Sequence, residues 1–259
     1  MQRGGSSSLK LLLAAGIVIF SLVKYFSSSE VNEVTGEKQY ISLTKDQEIA
    51  LGLNSAPQMA QEFGGLSQNA QAQQLVKQVG EKIVKSSDAG KTQYPFQFYV
   101  LADQRTVNAF ALPGGPIFIT EALLGRLKSE DQLAGVLGHE VGHVIARHSA
   151  EQMSKQQLTQ GIAGAAGVAA GDMNSAYYAQ VVANMVNMKY GREDELESDD
   201  LGVRFMLQAG YDPTALIGVM DILEEASGGS NVPEFQSTHP SPANRRAKIQ
   251  AAIEKYTKL

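Results

Sequence analysis

Three of the four histidines, His139, His143 and His148, fall within ten residues, on a stretch patterned to be a helix. Ser129-Glu130-Asp131-Gln132 has the form of a capping box, with side chains that satisfy the free amides at a helix start. Leu133, Val136, Leu137, Val141, Val144 and Ile145 then recur at helical spacing and supply an apolar seat. On that helix His139 and His143 are about 40° apart around the axis and one turn apart along it, so both imidazoles reach one ion. Glu140, between them, is placed to touch a metal-bound water without being a ligand. A zinc hydrolase needs this geometry, because the ion acidifies water and the carboxylate takes its proton. From composition alone the motif arises by accident in about 0.4% of such chains. The bland alternative is a pair of core or surface histidines. With the helix taken as continuous over 130–155, His148 lies half a circle from His139 and is expected to be structural.

The 259 residues include no Cys, which excludes a disulfide framework, a thiolate metal site and a Cys nucleophile. Any remaining ligand is therefore His, Asp or Glu. The metzincin pattern fails, since Ala146 and Ser149 stand where Gly and His are required. The segment Arg192 to Gly202 offers six acids in eight positions at the head of a helix. Helix-dipole preference explains most of them. Glu193, Glu197, Asp200 and Arg204 form one charged, solvent-facing stripe. Glu195 and Asp199 lie on another, bordering the apolar line of Leu196, Val203 and Leu207. A carboxylate on that inner stripe needs a cation to justify its burial. Glu195 is thus the expected third ligand, and Asp199, one turn on, is placed to orient a histidine ring.

At 43% hydrophobic and 19% charged residues the chain has ordinary globular composition, and its length allows one large domain or two small ones. The net charge of -5 with no basic tract argues against nucleic acid as a partner. Arg3 and Lys10 precede thirteen uncharged residues, Leu11–Val23, closed by Lys24. That is the pattern of a signal peptide or signal anchor over 1–26, with an inside N-terminus and an exported body. Residues 27–43, Ser-rich and then mixed polar, suit a linker before a domain over 44–259. Helices are expected over 44–63 and 69–85, then strands over 94–103, 107–112 and 116–119. Helices follow near 120–127, 130–155, 176–189, 193–209, 213–226 and 242–257. This order is α+β and mostly helical, with a small sheet beside the metal-binding helix.

These residues resemble a known family, the gluzincin zinc metallopeptidases of the CAAX prenyl proteases, HtpX and the Oma-type proteases. Within it they are most similar to the periplasmic BepA/LoiP-like branch. The resemblance is carried by Asn108-Ala109-Phe110-Ala111-Leu112-Pro113-Gly114-Gly115, His139-Glu140-Val141-Gly142-His143, Glu195-Leu196-Glu197-Ser198-Asp199 and His239-Pro240 followed by Arg245. It implies a zincin-type domain with one Zn²⁺ held by His139, His143 and Glu195, Glu140 as general base and Asp199 as the acidic partner. Residues 108–115 would form an edge strand where a substrate chain pairs through Asn108, Ala109, Phe110, Ala111, Pro113 and Gly114. His239 would steady the reacting carbonyl or bind the zinc as a plug, and Arg245 would anchor that loop or the substrate. The implied activity is endopeptidase cleavage of exported or membrane-associated polypeptides, such as misfolded envelope proteins, at the periplasmic face of a membrane. A chaperone or assembly factor with a plugged site is the alternative. Ser198 stands where Ala is usual and Arg246 where an aliphatic residue is usual, and there is no lipobox Cys. The Ala/Gly run Gly161–Gly171, too short to span a membrane, is expected to be a flexible or closely packed lid.

Overall fold

The computed structural model describes residues 4–170, 189–227, 235, 239 and 244–258. The chain divides into two compact units, one of residues 45–149 and 187–259 and one of residues 1–44 and 150–186. The expected helix over 176–189 and the proline of His239-Pro240 fall almost wholly outside the described residues.

In the larger unit the three expected strands form one sheet. β3 (Gln97–Leu101) runs parallel to β5 (Pro116–Thr120), and β4 (Ala109–Ala111) pairs antiparallel with the other side of β5. The order β3-β5-β4 leaves β4 at an edge, and β5, flanked on both sides, is buried at all five positions. The turn from Leu112 to Pro116 is closed by the Leu112 amide on the Pro116 carbonyl at 2.8 Å. Gly114 takes φ +76° there, and a Cβ on it would strike the backbone of Ile49 in α2 (Lys45–Glu62). Gly52 of α2 is bare for the matching reason, since a Cβ would overlap the Pro113 carbonyl oxygen.

Helix α3 (Ala70–Ser86) is capped by Asn69, whose side chain accepts from the Ala72 amide. After the short α4 (Glu121–Leu124), α5 (Glu130–Ile145) starts at Ser129, which accepts from the Gln132 amide as the capping box anticipates. Every α5 residue from Leu133 to Ile145 is buried. α7 (Arg192–Gln208) packs against it, with α8 (Ala215–Ser227) and α9 (Arg245–Thr257) alongside. The α5–α7 contact is backbone to backbone. A Cβ at Gly142 would lie 2.9 Å from the Ser198 carbonyl oxygen, and one at Gly202 3.1 Å from the His139 nitrogen. Glycine at these crossings lets the helices that carry His139, His143 and Glu195 approach closely.

The expected helix over 130–155 is in fact two. α5 ends at Ile145, and α6 (His148–Ala170) begins after Arg147, which takes φ 58°. A non-glycine residue in that left-handed region carries a strain of about 1–3 kcal/mol. What holds it is burial of the Arg147 guanidinium against Glu48 of α2, with Nε 2.8 Å from Oε1. The break overturns the continuous helix on which His148 was expected half a circle from His139, and turns His148 towards His143.

In the smaller unit α1 (Gly4–Ser27) leads into a hairpin of β1 (Ser29–Val31) and β2 (Lys38–Tyr40). The linker expected over 27–43 is therefore largely structured. The turn is built by Asn32, whose side-chain oxygen accepts from the amides of Val34 and Thr35 at 2.9 and 3.1 Å. Within α1, Ser8–Ser27 is long and apolar enough to cross a membrane, with a mean hydropathy of 2.0. The Ala/Gly run expected as a lid is, as far as it is described, the end of α6, and Gly161 packs closely on Ser21 of α1.

Candidate metal centre

Four buried side chains converge: His139 and His143 from α5, Glu195 from the first turn of α7, and His239. His139 Nε2 and His143 Nε2 are 3.0 Å apart. Glu195 Oε2 lies 3.5 Å from His139 Nε2, and Oε1 lies 3.5 Å from His143 Nε2. His239 Nδ1 is 3.0 Å from Glu195 Oε1 and 3.4 Å from His139 Nε2. Donors held about 2.0–2.1 Å from a tetrahedral ion are separated by about 3.3–3.4 Å, the scale of these distances.

The hydrogen bonds behind the imidazoles make the same point independently. His139 Nδ1 contacts Asp199 Oδ1 at 2.9 Å, so Nδ1 carries the proton and Nε2 presents its lone pair. For His143 the chain of inference is longer. His148 Nε2 is 3.1 Å from Glu197 Oε2, and a carboxylate only accepts, so His148 is protonated at Nε2 and accepts at Nδ1. His143 Nδ1, 2.9 Å from His148 Nδ1, is then the donor, which leaves His143 Nε2 bare. Two imidazole nitrogens facing each other at 3.0 Å beside a carboxylate need a positive charge between them, either a second proton on one ring or a metal cation. The residues present therefore fit a bound divalent metal.

Burial would depress the His139 imidazolium, but Asp199 and Glu195 outweigh it and hold its pKa up at about 9. His143, also fully buried, is pushed well below the usual imidazole range by that burial. Burial opposes ionisation of Asp199, yet the Arg245 guanidinium and His139 keep it below its ordinary value. Arg245 grips Asp199 with two bonds, Nε to Oδ2 at 2.6 Å and Nη2 to Oδ1 at 2.9 Å, and its Nη1 lies 3.3 Å from Glu195 Oε2. It is 2% exposed, so its partners are the protein's own carboxylates rather than substrate.

Glu140 is fully buried, and among the described residues neither carboxylate oxygen has a hydrogen-bond partner. Burial raises its pKa, which readies it to take up a proton. His239 faces it, with Nε2 3.7 Å from Oε1 and likewise without a hydrogen bond among the described residues. His239 is no exposed loop residue. It is 1% exposed, its amide bonds the Phe235 carbonyl at 2.7 Å, and its ring stacks on Phe235 at 4.4 Å. Phe235 in turn donates its amide to the Val107 carbonyl, which brings the start of the β4 edge to the site.

The 108–115 segment divides. Asn108 is buried with its side-chain oxygen unpaired, and among the described residues Ala109, Phe110 and Ala111 pair only with β5. Pro113 and Gly114 are covered by α2, which narrows the edge open to a pairing chain to 108–111. Three side chains at the site were missed by sequence reasoning: His148, Glu197 and Tyr190. The Tyr190 ring stacks on His143 at 4.0 Å, and its hydroxyl bonds Ser149 at 2.8 Å. Ser198, the departure from the family pattern, places its hydroxyl 3.3 Å from His148 Nδ1. Arg246, the other, pairs with Asp221 and Glu224 of α8 at 2.8 Å each.

A helical domain with a small sheet, a His-Glu-x-x-His helix and a carboxylate from a neighbouring helix beside the two histidines defines a metallopeptidase. Residues 70–253 match Peptidase family M48, and the chain belongs to that family. It is similar to the mitochondrial metalloendopeptidase OMA1 of Schizosaccharomyces pombe, 30% identical over 233 residues, covering 88% of this chain and 67% of that protein. It is also similar to the beta-barrel assembly-enhancing protease of Escherichia coli, 32% identical over 184 residues, covering 67% of this chain and 37% of the relative. OMA1 of Arabidopsis thaliana is 34% identical over 160 residues, 59% of this chain and 30% of its own length. The chain thus spans about two thirds of the yeast relative and little more than a third of the bacterial one.

Proposed function

We propose that the protein is a zinc-dependent endopeptidase, tethered by its N-terminal helix and acting on exported or membrane-associated polypeptides in envelope quality control. The observation that carries this is the convergence of His139, His143 and Glu195 around a space bordered by the unpartnered carboxylate of Glu140. With no Cys in the chain and a His/His/Glu donor set, zinc is the metal best suited to the site. Bound zinc would supply a Lewis acid that acidifies water and polarises the scissile carbonyl.

The chain's own residues do the rest. Glu140 takes a proton from the attacking water and returns it to the leaving amine. Asp199, fixed by Arg245, and His148, fixed by Glu197, hold the two ligand imidazoles in the tautomer that offers Nε2. The substrate backbone adds to the β4 edge at 108–111, as an extended peptide adds to a sheet. The names of the relatives, a mitochondrial metalloendopeptidase and a protease that enhances β-barrel assembly, support polypeptide substrates at a membrane. The exposed apolar helix α1 supports the tether, with the body on the periplasmic face.

A second reading has its own observation. His239 Nδ1 lies among the donor atoms, 3.0 Å from Glu195, where it would act as a fourth ligand and leave no place for substrate. A chaperone or assembly factor with a silenced site follows from that arrangement. Cleavage of unfolded casein by the zinc-loaded full-length protein separates the readings. Wild type should cleave, and Glu140→Gln should not while retaining its metal. Activity confined to His239→Ala establishes the plug, and absence of cleavage in every variant removes the peptidase reading.

A further inference from the structure

We propose that the C-terminal part of α6, from Gly161 to Ala170, lies in the lipid bilayer beside the N-terminal helix, with acyl chains covering its apolar surface. The inference rests on the reading of α1 as a membrane anchor and extends it to a second segment.

Two tie points fix how α6 runs along α1 within their common unit. At one level the Ser28 carbonyl accepts from the Ile41 amide, and the next residue, Ser42, donates its amide to Ser154 Oγ of α6 at 2.9 Å. At the other, Gly161 of α6 meets Ser21 of α1 so closely that a Cβ would strike the serine hydroxyl. The intervals match, seven residues from Ser21 to Ser28 and seven from Ser154 to Gly161. The helices are therefore antiparallel and side by side, and each residue of α6 beyond Gly161 rises about 1.5 Å along α1 towards its N-terminus. Ala170, nine residues on, reaches roughly the level of Leu12, well inside the Ser8–Ser27 apolar span.

Chemistry changes at one height on both helices. The last charge of α1 is Lys24 and the last of α6 is Lys155, and no charged residue follows until Asp172. A cavity of about 250 Å³ lies between the helices at this height. Its lining runs from Ser28, Ser42 and Ser154 at the hairpin end, past Lys24 and Leu158, to Phe20, Ser21, Gln160 and Gly161 at the far end. Beyond it α6 reads Ile162-Ala163-Gly164-Ala165-Ala166-Gly167-Val168-Ala169-Ala170, with no polar side chain. Glycines at such density weaken a helix in water, whereas in hydrocarbon a helix is how a segment satisfies its backbone. Small residues at the Gly161–Ser21 approach are also what neighbouring helices use to pack in lipid. Ile162 is exposed in the protein alone, as are Leu11, Leu12 and Leu13 on α1.

The absence of cysteine makes the test direct. Single cysteines at Leu12, Ile162, Val168, Lys155 and Glu225 in the full-length protein are labelled with an environment-sensitive fluorophore and reconstituted in phosphatidylcholine vesicles. Nitroxide-bearing lipids serve as quenchers. Emission at Leu12, Ile162 and Val168 should shift to the blue and fall by half or more with acyl-chain nitroxides. Lys155 should respond to headgroup nitroxides only, and Glu225 on α8 to neither. Quenching at Leu12 with none at Ile162 and Val168 overturns the inference and leaves the anchor standing. A blue shift at Ile162 and Val168 without lipid quenching overturns it in favour of a protein cover. No quenching at Leu12 removes the anchor and the inference together.

Discussion

The two histidines proposed as ligands on α5, His139 and His143, are supported in opposite ways. Behind His139 stands an ionic arm, Asp199 gripped by Arg245, in which every member is buried. Behind His143 stands a second imidazole, His148, whose partner Glu197 is 26% exposed at its side chain. Both arms select the same tautomer. They differ in what happens when they are cut, because a buried charge left alone is far more costly than a single buried ring N–H left unpaired.

That contrast orders the expected effects. Glu195→Ala removes a ligand common to both sides, and metal analysis of the purified variant should find the site empty. Asp199→Ala comes next. It strands Arg245 in the interior, so chemical denaturation should show a loss of about 3–5 kcal/mol. Its metal affinity should fall towards the 100-fold end of the roughly 10–100-fold range for lost outer partners. His148→Phe keeps the ring volume and removes the acceptor for His143 Nδ1. A competition titration with a chelating dye should show a drop near 10-fold, and stability should fall by about 1–3 kcal/mol for the unsatisfied donor. Glu197→Gln is the mildest, since the amide oxygen still accepts from His148 Nε2. Its stability change should stay within about 1 kcal/mol. If His148→Phe matches Asp199→Ala in both measurements, the two arms are equivalent and the contrast fails.

How far the site was legible follows the same division. The Asp199 arm could be read because Glu195 and Asp199 share one face of one helix at a spacing of four, and helical phase is a local property. The His148 arm could not. Extrapolating α5 through residue 155 put His148 on the wrong side, because the break at Arg147 depends on Glu48, 99 positions away. Glu197, expected on the solvent-facing stripe, is only partly exposed, because its contact with His148 crosses from α7 to the start of α6 and buries one carboxylate oxygen. In the fold, the strands and most helices came out close to their expected bounds, since alternation and capping residues are local signals. The hairpin at 29–40 was missed because one asparagine makes its turn within a stretch of disordered-looking composition.

The sequence by itself pointed to the candidate donors: two histidines one helical turn apart, a glutamate between them, no cysteine to compete, and two inward carboxylates, Glu195 and Asp199, at the head of a second helix. Those are matters of spacing and chemical type, and no packing is needed to see them. Only the tertiary structure decided that α5 and α7 touch through Gly138, Gly142 and Gly202, closely enough for the four donor atoms to meet. It alone decided that His239 enters the cluster, that Arg245 grips Asp199 instead of substrate, and that His148 turns back onto His143. Each depends on which distant backbones come into contact. The physical reason is that one bare Cα or one buried ion pair sets that contact, while periodicity records only which face of a helix is apolar.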